Sequence, residues 1–169
     1  ALQFAVLKQL PIIYLIQDND WGISATGEET RAMNAYEYAD GFKGLNKIQI
    51  DGTDFIHCYK IIGNVIGEVR KHRKPWLVHA KVPLLNHHTS GVRKDFYRSD
   101  EDLSKAMADD PFPKLRKLLL EHDIDENELN TIETESSEFI SEEFMKALNS
   151  PEPDTNKAID YVFAPTKIS

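Results

Sequence analysis

A doubly wound, mainly parallel α/β sheet, followed by C-terminal helices and an extended tail, is the fold this sequence predicts. Three observations carry that prediction. Short apolar or β-rich runs recur at Ile12–Ile16, Asn46–Ile50 and Pro75–Val82, and each reads as a strand. The first, Ile12-Ile13-Tyr14-Leu15-Ile16, is apolar without alternation, as expected of a strand buried on both faces of a parallel sheet. Helical stretches separate the strands, so the connections are crossovers, and crossovers join parallel strands.

Each element has its own signals. Ala1–Gln9 reads as the last turns of a helix ended by Pro11. Ile12–Ile16 is the first strand, and Gln17–Thr30 a polar loop. Arg31–Phe42 is expected to be helical, with Met33, Ala35, Tyr36 and Ala39 inward and Gly41 near its end. After the second strand, Asp51-Gly52 makes a turn. Asp54 is placed to cap a long helix running to about Arg73. In that helix Phe55, Tyr59, Ile62, Ile66 and Val69 recur at helical spacing. Arg70 to Lys74 close it with positive charge, which suits a helix C-terminus. After the third strand comes a loop over Pro83–Phe96. Ser99 or Asp100 caps a helix to Ala108, and Pro111–His122 and Glu126–Asn149 form two more. Residues 1–122 are thus expected to form the main domain and 123–149 a helical extension. Residues 150–169, polar and Pro-containing, read as a linker.

Composition narrows the function classes. The 169 residues are enough for one domain with a real core and not comfortably two. A net charge of -8 argues against nucleic acid as a partner. No apolar run approaches the roughly 20 residues of a membrane span. The N-terminal ALQFAVLKQLP has no basic n-region of a signal peptide. The single Cys58 leaves no internal disulfide and no cysteine-based zinc site, and it fits a reducing, cytoplasmic setting.

Ile12–Ser24, IIYLIQDNDWGIS, is the stretch where chemistry concentrates. Ligands of open α/β sheets bind outside the carboxyl ends of the strands, and Gln17–Ser24 lies at such an end. Asn19 offers an amide oxygen and Asp20 a carboxylate, hard donors that suit Mg²⁺. By itself, Asn19 is most simply a loop residue satisfying nearby backbone groups. A calcium loop at Asp18-Asn19-Asp20 lacks the later ligand spacing. His87 and His88 are adjacent, so their rings point apart and do not share a metal. His79, inside a strand, reads as a packed, hydrogen-bonded histidine. Asp51 and Asp54 read as turn and cap residues, and the acidic face of Glu126–Glu143 as a solvated surface.

The motif LPIIYLIQDNDWGIS resembles the second half of the thiamine-diphosphate motif in 2-oxo acid dehydrogenase E1 α subunits of the branched-chain, 2-oxoisovalerate type. The likeness continues through Asp51-Gly52-Thr53-Asp54, Asn86-His87-His88-Thr89-Ser90 and Tyr97-Arg98-Ser99, in order, from about Ala1 to Leu120. It implies a partial thiamine-diphosphate-binding fold. It implies that the Asn19 side chain and the Trp21 carbonyl ligate Mg²⁺, and that Gln17 stands where relatives carry a diphosphate-binding Arg. Ile23 would pack by the thiamine. His88 would be the active-site histidine, bonding the diphosphate or handling protons. Arg98 would pin its loop. Trp21 stands for the usual Tyr, and Asp20 for the usual Gly, a position where Asp tolerates unusual φ.

The implied reaction is oxidative decarboxylation of a 2-oxo acid, with the acyl group passing to a lipoyl-bearing E2. The implied partner is an E1 β-type subunit or domain, which carries the activating glutamate, in an oligomeric whole. The acidic Gly-Asp-Gly half of the motif is expected upstream. The tail from Asp160 to Thr166 resembles the join of fused α-β E1 chains, so the chain is expected to be a piece of a longer polypeptide. Two other readings stay open: another thiamine-diphosphate enzyme of transketolase or acetoin dehydrogenase type, and a non-catalytic scaffold of the same fold.

Overall fold

Three parallel strands organise the protein: β1 (Ile13–Asp18), β4 (Asn46–Asp51) and β5 (Trp76–Lys81), in the order β1-β5-β4. The computed structural model describes residues 1–91, 93–157 and 160. Between β1 and β4 a second, two-stranded antiparallel sheet joins β2 (Trp21–Gly22) to β3 (Ala25–Thr26). Ile13 and Asn46 both pair with Trp76, while Asp18 and Asp51 both pair with Lys81. The three strands therefore end flush, and their carboxyl ends form one row.

The middle strand is β5, whose Leu77, Val78, His79 and Ala80 are all buried. A strand with a neighbour on each side and cover on both faces keeps its middle positions from solvent, and Lys81 at its carboxyl end is exposed. The expectation of burial on both faces for the first strand is corrected. β1 is an edge of the sheet, and Leu15 is 52% exposed and Gln17 exposed. Its uninterrupted apolar run gives no sign of where it sits in the sheet.

The long helix forms as expected, as α4 (Phe55–His72), once the helices before it are counted as α1 (Leu2–Leu7), α2 (Gly27–Thr30) and α3 (Ala35–Tyr38). The Asp54 carboxylate accepts the His57 N–H at 2.9 Å, and Arg73 ends the helix in the left-handed region. Its buried side chains are Val65 and Val69, with Cys58 and Ile61 packed beside them against Ile50, Val78 and Ala80. The expected stripe differs, since Phe55 and Tyr59 are exposed. The helix is apolar on more than one side, and the sheet covers one of them.

The single helix expected over Arg31–Phe42 is also corrected. Thr26 caps α2 and Asn34 caps α3, each in a reciprocal box with the acid three residues on, Glu29 and Glu37. Arg31 lies between them in extended conformation, and a 3-10 turn over Ala39–Gly41 follows. Within the expected span only Ala35–Tyr38 is α-helical, because α2 ends at Thr30 and the Asn34 cap sets a new start. Ala39 is buried and Ala35 and Tyr36 half-buried, while Met33 is exposed. The loop expected over Gln17–Thr30 is in fact the end of β1, the small hairpin and α2.

Ser99 caps α5 (Asp100–Ala108), and Asp110 caps α6 (Pro111–Glu121), with proline in the first turn. The chain divides into two units, Ala1–His122 and Asp123–Ser169. In the second, Asp125 caps α7 (Glu126–Leu148), and a 3-10 turn covers Thr155–Lys157. The expected α-β join over 160–166 lies, Asp160 apart, outside the described residues. Among the described residues no helix is long and apolar enough to cross a membrane.

Candidate functional site

The site begins where β1 stops. The Asp18 carboxylate accepts the Asp20 N–H at 3.0 Å, and the Asn19 amide oxygen accepts the Trp21 N–H at 3.0 Å. Two overlapping side-chain turns thus end the strand and shape the turn after it. Asp20 adopts φ 62°, in the left-handed region that Asp tolerates and most residues avoid. The hairpin that follows carries Ile23 at φ 64°, a conformation that strains a β-branched residue.

One cation holds this turn. Arg31 Nη2 lies 3.0 Å from Asp18 and 2.6 Å from Asp20, so the carboxylates on either side of Asn19 share one guanidinium. Gly27 leaves room for it: a Cβ there would fall 2.1 Å from the Asp20 carboxylate and 2.5 Å from the guanidinium. On the sheet side, His79 Nε2 meets the Asp18 carboxylate at 2.9 Å. An ionised carboxylate only accepts, so Nε2 carries the proton. His79 is fully buried, and its Nδ1 has no partner among the described residues. Burial pushes the Asp18 carboxyl upward. The bonds from His79, the Asp20 amide and Arg31 outweigh that and hold it below the usual carboxylate range.

Beside the turn, at the flush strand ends, opens a cleft of about 290 Å³ bordered by Asn19, Trp21, Asp51, Lys81, Arg98 and Asp109. Arg98 braces it. Its side chain is 1% exposed, donates to the Leu84 carbonyl at 2.6 Å and to Asp102, and lies 5.2 Å from the Trp21 ring. Trp21 also packs on Tyr97, with ring centroids 5.6 Å apart. Arg98 pins the loop after β5, as expected. Asp51 is the turn residue foreseen, accepting the Thr53 N–H at 2.9 Å.

The structure therefore brings Asn19 and Trp21 together at one cleft. Gln17, Ile23 and His88 lie outside its lining. Gln17 is on β1 and Ile23 at the hairpin tip, both exposed. In the loop after β5, His87 Nδ1 accepts the Lys94 N–H at 3.1 Å, while His88 is exposed. Among the described residues no three His, Cys, Asp or Glu side chains gather to hold a metal. At the turn the Asn19 amide oxygen is neutral, and the Asp18 and Asp20 carboxylates beside it are engaged by Arg31. The amide oxygen of Asn19 has two lone pairs, one of them taken by the Trp21 N–H. Such an oxygen suits Mg²⁺ that draws its other ligands from phosphate and water. Arg31 and its pairing with Asp18 had no signal in the sequence. A guanidinium 13 residues from its carboxylate leaves no local pattern.

A parallel α/β sheet with a polar cleft at its strand ends is the arrangement in which open α/β folds bind their ligands. This chain belongs to the dehydrogenase E1 component family, whose model matches residues 1–156. It is 29% identical to the pyruvate dehydrogenase E1 component subunit alpha of Porphyra purpurea over 97% of this chain and 48% of that protein. It is 27% identical to the 3-methyl-2-oxobutanoate dehydrogenase subunit alpha of Mycobacterium tuberculosis over 97% of this chain and 45% of that protein. Its identity to the chloroplastic pyruvate dehydrogenase E1 component subunit alpha-3 of Arabidopsis thaliana is 28%, over 99% and 39%. The chain spans half or less of the length of these relatives.

Proposed function

We propose that this chain is part of an E1 enzyme that binds thiamine diphosphate and Mg²⁺, oxidatively decarboxylates a 2-oxo acid and passes the acyl group to a lipoyl-bearing E2. The observation that carries this reading is the turn at Asn19, set at the mouth of a polar cleft where three parallel strands end together. Family membership supports the reaction class, and the names of the relatives support a 2-oxo acid as substrate. Those names are of alpha subunits, which supports a β-type partner and an oligomeric whole. The three strands described would then be part of a larger doubly wound sheet.

Within this reading the chain's residues divide the work. The Asn19 amide oxygen and the Trp21 carbonyl hold the metal. Gln17 donates an amide hydrogen to a diphosphate oxygen without adding charge. Lys81, at the cleft, supplies positive charge towards the same group. Ile23, 45% exposed, offers apolar surface for an aromatic ring. His88, an exposed imidazole, moves protons near neutral pH. The cofactor, once bound, supplies the electron sink that lets CO₂ leave. The protein's part is to bind, orient and desolvate.

Calorimetric titration of thiamine diphosphate with Mg²⁺ into the full-length protein, beside Asn19→Ala, tests this. Loss of one ligand is expected to weaken binding by about tenfold or more. Equal binding by both proteins would overturn the metal site. No binding by either, with the fold intact, would favour a scaffold of the same fold.

A further inference from the structure

Asn19 is neutral, yet both its neighbours in sequence are carboxylates. Mg²⁺ is a hard cation and takes carboxylate oxygen readily. Asp20 borders the cleft beside Asn19, and left free, Asp18 and Asp20 would compete with the Asn19 amide for the ion. In the structure neither is free. Arg31 reaches both from the far side of the turn, and Asp18 is also bonded to His79. As a stabilising ion pair this arrangement is weak, because the Arg31 side chain is 37% exposed and the Asp20 side chain 67% exposed. As a geometric device it is well placed, since it fixes positions 18 and 20 and so the residue between them. Gly27 keeps the space for it open.

We propose that Arg31, braced through Asp18 by the buried His79, is a positioning residue: it engages the two carboxylates beside Asn19 so that the neutral Asn19 oxygen, not a carboxylate, faces the metal. The proposal rests on the metal-binding reading above. It has two consequences. Arg31 positions Asn19, so its removal costs Mg²⁺-supported binding only while Asn19 is present. Its removal also frees carboxylate oxygen, which Ca²⁺, with its six to eight oxygen ligands, exploits better than Mg²⁺.

The test uses the full-length protein and calorimetric binding of thiamine diphosphate with Mg²⁺ or with Ca²⁺. The proteins are the parent, Arg31→Ala, Arg31→Lys, Asp20→Asn, Asn19→Ala and the Asn19→Ala/Arg31→Ala double variant. Arg31→Ala is expected to weaken Mg²⁺-supported binding by about tenfold, as loss of groups that orient metal ligands does. It is also expected to shift preference towards Ca²⁺ and to leave the melting temperature of the free protein close to the parent's. Arg31→Lys, whose ammonium can donate to both carboxylates, recovers part of the loss. In the Asn19→Ala background Arg31→Ala brings no further loss of Mg²⁺-supported binding. Asp20→Asn keeps a residue that tolerates left-handed φ and removes one arm of the clamp. It should weaken Mg²⁺-supported binding by less than Arg31→Ala does and, because a carboxylate is removed and not freed, without the shift towards Ca²⁺; it carries the test if Arg31→Ala does not fold. Unchanged Mg²⁺ dependence in Arg31→Ala, or an equal loss with and without Asn19, would overturn the proposal. An Asn19→Ala protein that binds like the parent would instead overturn the metal site itself.

Discussion

Ile23 pays for its place in the hairpin. A β-branched residue at φ 64° carries about 1–2 kcal/mol of strain that Asn or Gly would not. A chain selected for stability alone would not put isoleucine there, and its side chain is half out in solvent. Ile23→Asn is therefore expected to raise stability by about 1 kcal/mol in thermal unfolding. Under the proposed function it also weakens cofactor binding, because the apolar surface is lost. A lower melting temperature would show that the isoleucine is held by packing and not by purpose. Asp20, one turn earlier, meets the same backbone demand without that strain, since its short polar side chain accommodates the left-handed region. The substitution of Asp for the family's usual Gly is thus compatible with the turn, and Arg31 gives the added carboxylate a partner.

At the scale of elements, the loop after β5 is held by one side chain. Arg98 joins the Leu84 carbonyl, the Asp102 carboxylate of α5 and the Trp21 ring of the hairpin. Three elements that border the cleft converge on it. Arg98→Ala leaves the Leu84 carbonyl without its donor and is expected to cost about 2 kcal/mol in denaturant unfolding. Arg98→Lys keeps the charge but not the fork, and should recover only part of that. If both variants unfold at the parent's denaturant concentration, the loop is held by something else. The helices show how local chemistry sets boundaries. Asp54, Ser99, Asp110 and Asp125 each place an oxygen on the N–H groups of a first turn. These helices start where the caps are, and the caps are visible in the sequence.

For the whole molecule, the sheet's middle strand is the centre of stability. Leu77 and Val78 point to opposite faces of β5, and both are buried. Leu77→Ala is expected to cost about 2–5 kcal/mol, measured by chemical denaturation. Leu15→Ala, on the exposed face of the edge strand β1, should cost far less by the same measure. Equal costs would mean that Leu15 is covered in solution. The site lies at the end of this sheet that gathers Asp18, Asp51 and Lys81. Its position therefore depends on the register of two separate strand pairings, and a slip in either would separate Asn19 from the cleft.

Local patterns in the sequence determined the three strands, the long capped helix and the turn at Asp51, because each depends on residues a few positions apart. The order of motifs from Ile12 to Ser99 also sufficed to indicate the E1 family. The sequence alone did not reveal that the last strand would lie in the middle or that β1 would be an edge. Nor did it show that His79 and Arg31 would converge on Asp18. Those are decided by strand order, register and the path of a returning chain. His79 and Asp18 are 61 residues apart and meet only because β5 pairs with β1 in one particular register. A run of apolar residues is the same run whichever neighbour it takes, so such pairings come from the packing of the whole sheet and not from any stretch of it.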